Sequence, residues 1–208
     1  MIPRNNKWLV SLLVAACCWF NIAAVYAGVQ SDPVALLRYV ADNMIKGLKE
    51  NQATLKSKPQ IVYNLAYKYV VPNANLSEMA KRVVPPQTWN SATPAQRAQF
   101  QKQFTQTLIR TYASSLTSYK DQTVQFFPVR GGYQGRKTVE VNSEITSSEN
   151  PTIQVTYRMV NQGGTWRLFD LSVEGVSMLE SFRAQFADIL SRGNMEQLLQ
   201  RMSNHNSR

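Results

Sequence analysis

Apolar residues recur at helical spacing in the part of the chain that follows residue 30. Asp32 suits the N-cap of a helix and Pro33 its first position, and apolar side chains follow every three or four residues as far as Leu48. A second helix is predicted between Pro59 and Pro72, because proline fits a first turn and interrupts a helix interior. The spacing predicts one buried face for each segment.

A short helix is predicted around Met79, ending before the Pro85-Pro86 pair. A long helix follows, with Thr93 as its N-cap and Pro94 in its first turn. Aromatic and aliphatic residues form one stripe along it: Phe100, Phe104, Leu108, Tyr112, Leu116 and Tyr119. Such a stripe usually belongs to a core, and in a protein that binds an apolar ligand the same surface can also line the binding site.

The hydrophobic period changes to two after residue 122, which indicates strands. The predicted strands are Thr123–Val129, Lys137–Thr146, Thr152–Val160 and Thr165–Glu174. Their connections are short, so a four-stranded antiparallel meander is predicted. Two helices, near Met178 and Met195, end the chain. We therefore expect an α+β fold, with helices packed on one face of a twisted four-stranded sheet and enclosing an apolar cavity.

The first 27 residues have the pattern of an export signal. Arg4 and Lys7 precede a long apolar run, and Val25 and Ala27 are small residues at the −3 and −1 positions of a cleavage site. The sequence thus predicts a signal peptide over residues 1–27, cleaved after Ala27. One exported α+β domain is expected over residues 28–208.

Two other readings of this segment stay open at the level of sequence. The apolar run could anchor the chain in a membrane, although an anchor needs about 20 apolar residues and usually lacks a cleavage site. Alternatively, Val14 to Cys17 has the form of a lipobox, which would make Cys17 a lipidated N-terminus. The second alternative leaves a very apolar start to the mature protein, so we favour cleavage after Ala27.

Positive charge is concentrated in the middle of the chain. The formal net charge is +10, and residues 43–137 contain 14 basic and 3 acidic side chains. An exported protein meets anionic lipid headgroups and acidic protein surfaces rather than nucleic acid, so no nucleic-acid partner is expected. The alternative is that the basic residues only increase the solubility of the protein.

Few side chains of the expected mature chain could act as catalytic groups or as metal ligands. Cleavage after Ala27 removes the two cysteines, Cys17 and Cys18, and the single histidine, His205, lies in a polar tail. No metal site, no catalytic residue and no cofactor is therefore predicted.

Asp170 is the best candidate for a catalytic group. It lies between Phe169 and Leu171, and strict alternation places it on the side shared by Trp166 and Leu168. A buried carboxylate there could act as the general base of an isomerase or hydratase with a cone-shaped pocket. The structural interpretation, which we favour, is that it accepts hydrogen bonds from nearby backbone or from an arginine.

The glycine-rich segment from Gly131 to Thr138 partly resembles a phosphate-binding loop. Its spacing is one residue too short and an arginine takes the place of the required lysine, so a hairpin turn is the better interpretation. Three basic residues of this turn are candidates for contact with a headgroup or an acidic partner: Arg130, Arg136 and Lys137.

Several motifs in one order resemble a known family. The most specific are Trp166-Arg167, Val173–Ser177 (VEGVS) and Phe182–Phe186 (FRAQF), with Met79–Arg82 upstream. From about Pro33 to Leu199 the chain is similar to the MlaC-type family of periplasmic phospholipid-binding carriers, which includes toluene-tolerance auxiliary proteins. One departure is the Pro85-Pro86 pair, where that family tends to carry glycine.

The resemblance implies a monomeric carrier that is not an enzyme and has phospholipid as its cargo. It implies lipid exchange between an outer-membrane lipoprotein–porin complex and an inner-membrane ABC transporter with an MCE-domain ring. Eight residues are expected to line the pocket for the acyl tails: Leu65, Tyr69, Phe104, Leu108, Tyr112, Val155, Tyr157 and Met159. A structural envelope adaptor without any ligand is a further alternative.

Overall fold

The computed structural model describes residues 28–206. The expected signal peptide, its cleavage after Ala27 and the alternative lipidation at Cys17 lie outside the described residues. Asp32 begins helix α1 (Pro33–Glu50) as predicted, and its Oδ1 accepts hydrogen bonds from the Val34 and Ala35 N–H groups at 2.8 and 3.0 Å. Satisfied donors at this end hold the first turn in place.

The second helix changes pitch along its length. Helix α2 (Gln60–Leu65) continues into a π-helical turn (Ala66–Val70) and then a 3₁₀ turn (Val71–Asn73). The sequence predicts helix over this stretch but not the π-helical turn, which rotates the following side chains relative to an ordinary α-helix.

Two prolines separate the next helices instead of simply ending one. Helix α3 (Leu76–Val83) stops before them, and Pro86 starts α4 (Pro86–Ser91), which the sequence analysis did not predict. Helix α5 (Pro94–Thr117) begins at Thr93 as expected. Thr93 Oγ1 accepts from Gln96 N at 3.1 Å and Gln96 Oε1 accepts from Thr93 N at 2.9 Å, so a complete capping box fixes this end.

The sheet is an antiparallel meander in chain order, as predicted. Its strands are β1 (Thr123–Phe126), β2 (Thr138–Thr146), β3 (Ile153–Gln162), β4 (Thr165–Val173) and β5 (Val176–Ser177). The sheet therefore has a fifth, two-residue strand beyond the predicted four. It forms because Glu174 and Gly175 both adopt positive φ, at 49° and 79°, and turn the chain back on β4.

A β-bulge interrupts the alternation of β4. Arg158 pairs with Asp170, whereas the next residue of β3, Met159, pairs with Leu168, which leaves Phe169 as an extra residue. Paired residues face the same side, so Asp170 and Leu168 face opposite sides of the sheet. The expectation that Asp170 shares the side of Leu168 is therefore wrong, because strict alternation does not continue through a bulge.

Three groups of buried side chains form the core. Leu36 and Leu37 of α1 pack on Val141 and Met159 of the sheet. Helix α6 (Met178–Ser191) packs against α5 through an aromatic cluster: Phe100, Phe104, Phe182 and Phe186. Helix α7 (Met195–Asn206) joins the same core group through Leu198, Leu199 and Met202. The third group connects the end of α1 with α2 and α5: Leu48, Leu55, Val62, Ala113 and Tyr119.

Candidate functional site

An apolar cavity of about 230 Å³ lies between these groups. It is enclosed by α1, α2 and its π-helical turn, α3, α5, β4 and the first residue of α6. Its walls are formed by Thr105, Tyr112 and fifteen aliphatic or methionine residues. The fifteen are Met44, Val62, Ala66, Val70, Val71, Ala74, Leu76, Met79, Leu108, Ile109, Ala113, Leu116, Leu168, Leu171 and Met178. The Thr105 hydroxyl donates to Gln101 O at 2.8 Å within its own helix. The interior therefore suits hydrocarbon rather than a polar ligand.

The π-helical turn decides which residues of the second helix reach the cavity. Ala66, Val70 and Val71 line it. Leu65, expected there, instead packs against Gly47 of α1. Tyr69, also expected there, stacks edge-on against Tyr39 with ring centroids 6.5 Å apart.

Helix α5 supplies two of the three wall residues expected from it. Leu108 and Tyr112 line the cavity. Tyr112 is 39% exposed and stands at its solvent edge. Partial burial raises the pKa of the Tyr112 hydroxyl, and the charge of Asp170 raises it further. Phe104 lies instead inside the aromatic cluster, 5.4 Å from Phe182 between ring centroids.

The sheet contributes through β4 rather than β3. Leu168 and Leu171 line the cavity. Among the β3 residues expected there, Met159 is fully buried beneath α1. Tyr157 packs on Phe126 with ring centroids 5.6 Å apart, and burial raises its pKa.

The third expected β3 residue, Val155, is buried opposite Val173 of β4. Leu108 and Tyr112 are thus the two expected residues that meet at the cavity. Met44, Leu76 and Met79 line it as well. Their helical spacing was visible in the sequence, but spacing alone does not separate a cavity wall from packed core.

Asp170 is buried in a network of hydrogen bonds. Its Oδ2 accepts from Ser177 Oγ at 2.7 Å and from Arg158 Nη1 at 3.3 Å, and its Oδ1 accepts from Leu179 N at 3.1 Å. Ser177 in turn caps α6 by accepting from Glu180 N at 3.1 Å. The carboxylate therefore ties β4, β5 and the start of α6 together, and it is absent from the cavity wall.

The three basic candidates of the β1–β2 loop lie apart from the cavity. Arg130 and Arg136 line a separate depression together with Arg158. Arg136 Nη2 donates to Gly131 O at 3.2 Å, which stabilises the loop. Lys137 is exposed, and its backbone oxygen accepts from Asn161 N at 2.8 Å beside the start of β2.

The described residues, 28–206, offer neither a metal site built from clustered side chains nor a membrane-spanning helix. In that range no group of three or more histidine, cysteine, aspartate or glutamate side chains is placed to hold a metal ion. Within the same range, no helix combines the length and the apolar character needed to cross a membrane.

Comparison with known proteins matches most of the chain. The family described as MlaC protein matches residues 38–204. Toluene tolerance protein ttg2D of Pseudomonas putida is 27% identical over 192 residues, covering 92% of this chain and 85% of that protein. The intermembrane phospholipid transport system binding protein MlaC of Haemophilus influenzae is 25% identical over 199 residues, covering 95% and 92%.

A solved structure has the same fold. The phospholipid-binding protein from Ralstonia solanacearum, in complex with a phospholipid, superimposes with a TM-score of 0.77 at 28% identity. The match covers 85% of this chain and 97% of that one. The family match over residues 38–204 includes every residue that lines the apolar cavity.

Proposed function

Since this chain belongs to the MlaC family, we propose that it binds a phospholipid with its acyl tails in the apolar cavity and carries it through the periplasm. The observation that carries the proposal is the cavity itself, whose walls are apolar apart from one satisfied threonine and one tyrosine at the edge. The similarity to a protein in complex with a phospholipid supports it. We further propose exchange with an outer-membrane lipoprotein–porin complex and an inner-membrane ABC transporter bearing an MCE-domain ring.

Burial of hydrocarbon supplies the binding free energy. Each methylene removed from water contributes about 0.8 kcal/mol, so two tails with about 30 methylenes would bind far too tightly if water were the alternative. The relevant alternative is a bilayer or a partner's apolar channel, where the tails are already dry. The free energy of moving the tails between the protein and the bilayer is then close to zero, so this chain needs no energy source of its own for the exchange.

The cavity must widen to hold two tails. A drug-sized ligand occupies a pocket of about 300–1,000 Å³, so a cavity of about 230 Å³ is too small for the two tails of a phospholipid. We propose that α1 and α2 move away from α5, because this is where the solvent-exposed Tyr112 marks the edge of the cavity. The headgroup would then stay near Tyr112 in contact with water.

A carrier role is favoured over catalysis by the position of Asp170. A general base needs a free acceptor within reach of a substrate, whereas both oxygens of Asp170 already accept hydrogen bonds and neither lines the cavity. We therefore propose that the protein is not an enzyme and that phospholipid is cargo rather than cofactor.

Native mass spectrometry of the protein purified from the periplasm without added lipid tests the proposal. We expect a mass increase that matches phospholipid and disappears after delipidation. Incubating the delipidated protein with vesicles that contain labelled phospholipid should restore the mass increase. A protein that carries no lipid before or after this incubation would contradict the carrier function and favour a structural adaptor.

A further inference from the structure

A second concave surface lies on the side of the sheet that faces away from the apolar cavity. Two adjoining depressions, of about 400 and 320 Å³, share Arg158 and Phe169 as wall residues, and we call them together the basic groove. The β-bulge creates this arrangement, because it turns both Phe169 and Asp170 toward the groove. Leu168 and Leu171 face the cavity instead.

Six cationic side chains line the basic groove: Lys81, Arg82, Arg130, Arg136, Arg158 and Arg183. Two of them are paired within the protein. Arg82 contacts Glu78 at 2.8 Å, and Arg158 contacts both Glu140 and Asp170 at 3.3 Å.

The other four cations, Lys81, Arg130, Arg136 and Arg183, are exposed. Over residues 28–206, no carboxylate lies within 4.0 Å of their charged nitrogen atoms. The groove therefore presents uncompensated positive charge from two directions, the β1–β2 loop on one side and helices α3 and α6 on the other. Charge of this kind attracts an anionic partner over about a Debye length, roughly 8 Å at physiological ionic strength.

We propose that the basic groove binds an acidic segment of a partner polypeptide. Guanidinium groups pair with carboxylates through two parallel hydrogen bonds, and three of the four unpaired cations here are arginines, arranged around a cleft that an extended chain can enter. A flat bilayer does not fit the same surface. A bilayer surface is a planar array of headgroups and cannot enter a concave groove, whereas an extended chain can lie along it.

The groove and the cavity are separate surfaces of the same elements. On α3, Met79 lines the cavity whereas Glu78 and Arg82 line the groove. A segment held in the groove therefore leaves the cavity and its edge at Tyr112 accessible. The inference stands independently of the proposed function, because it rests on charge and shape at a site separate from the apolar cavity.

A fluorescein-labelled glutamate-rich peptide serves as the probe, with binding followed by fluorescence anisotropy at low and physiological salt. We expect the double variant Arg130→Glu/Arg136→Glu to weaken binding by about tenfold or more. The control Lys46→Glu/Lys56→Glu makes the same change in net charge at two exposed lysines outside the groove. It should weaken binding by less than about twofold, since distant exposed charges are screened.

The pair Lys81→Glu/Arg183→Glu tests the opposite wall of the groove and gives a second result if the loop variant fails to fold. Equal weakening by groove and control variants would overturn the proposal, because binding would then follow net charge alone. It would also be overturned if the protein bound vesicles containing phosphatidylglycerol through these residues and ignored the peptide. Lipid loading, measured by native mass spectrometry on each variant, should stay unchanged, so a failure of the carrier function is recognised separately.

Discussion

Leu65 packs so closely over Gly47 that a methyl group on Gly47 would overlap Leu65 Cδ2 and lie 2.9 Å from Leu65 Cδ1 and 3.2 Å from Leu65 Cγ. The contact joins α1 to α2 beside the apolar cavity. It also explains why Leu65 does not reach the cavity: its side chain fills the space that a glycine leaves on α1.

The Gly47→Ala change tests this relationship. Overpacking costs about 1–3 kcal/mol, and alanine recovers up to about 1 kcal/mol of helix propensity, so we expect a net loss of about 1 kcal/mol in the free energy of unfolding. In a Leu65→Ala background the clash is absent, and the same change at Gly47 should become stabilising. Urea unfolding of the wild type, the two single variants and the double variant gives the effect of Gly47→Ala on the free energy of unfolding with and without Leu65. An effect of the same sign in both backgrounds would contradict the packing argument.

Leu108→Trp tests the cavity as the lipid site. Leu108 is 8% exposed on the cavity wall, and the larger ring should fill space that a tail requires. We expect the variant to fold and to copurify with less phospholipid, measured by native mass spectrometry. Thr111→Trp is the matched control, because Thr111 is exposed on the same helix and lies outside the cavity wall. Equal lipid loading of the Leu108 variant and the wild type would place the tails elsewhere.

The Phe104→Leu change tests whether Phe104 belongs to the packed core or to the wall of the lipid site. Phe104 is 1% exposed and contacts three other phenylalanines of the aromatic cluster at centroid distances of 5.4 to 5.8 Å. Losing these contacts should lower the free energy of unfolding by about 1–2 kcal/mol. Lipid loading per folded molecule should stay the same. Reduced loading at unchanged stability would show instead that Phe104 contacts the acyl tails.

Asp170→Ala tests the structural role of the buried carboxylate. The change leaves the Ser177 hydroxyl and the Leu179 N–H without their acceptor, and we expect a loss of about 3 kcal/mol in the free energy of unfolding. Asp42→Ala, at an exposed position of α1, should change stability by less than about 0.5 kcal/mol. Urea unfolding followed by circular dichroism gives both numbers. Comparable effects at the two positions would mean that the network around Asp170 contributes little.

Local signals predicted most of the elements. The capping box at Thr93, the aspartate cap at Asp32 and the short hairpin connections act between residues that are near in sequence, so they can be recognised without a structure. The same signals missed α4 and the two-residue β5, because elements this short depend on the neighbours that hold them.

The candidate site was predicted only in part. Helical spacing correctly predicts an apolar face on α5, but the same spacing describes Phe104 in the packed core and Leu108 on the cavity wall. Whether a side chain lines the cavity or lies in the packed core depends on the residues that pack against it. Leu65 and Tyr69 contact Gly47 and Tyr39 across the helix interface, which a sequence pattern does not reveal.

The sequence by itself determined the α+β class, the order of the meander and the apolar character of the interior, because periodicity and capping are properties of short segments. The tertiary structure alone decided the π-helical turn, the bulge at Phe169 and the side of the sheet that Asp170 faces. A single extra residue reverses the facing of every later side chain in a strand, and only pairing with the neighbouring strand reveals where that residue sits.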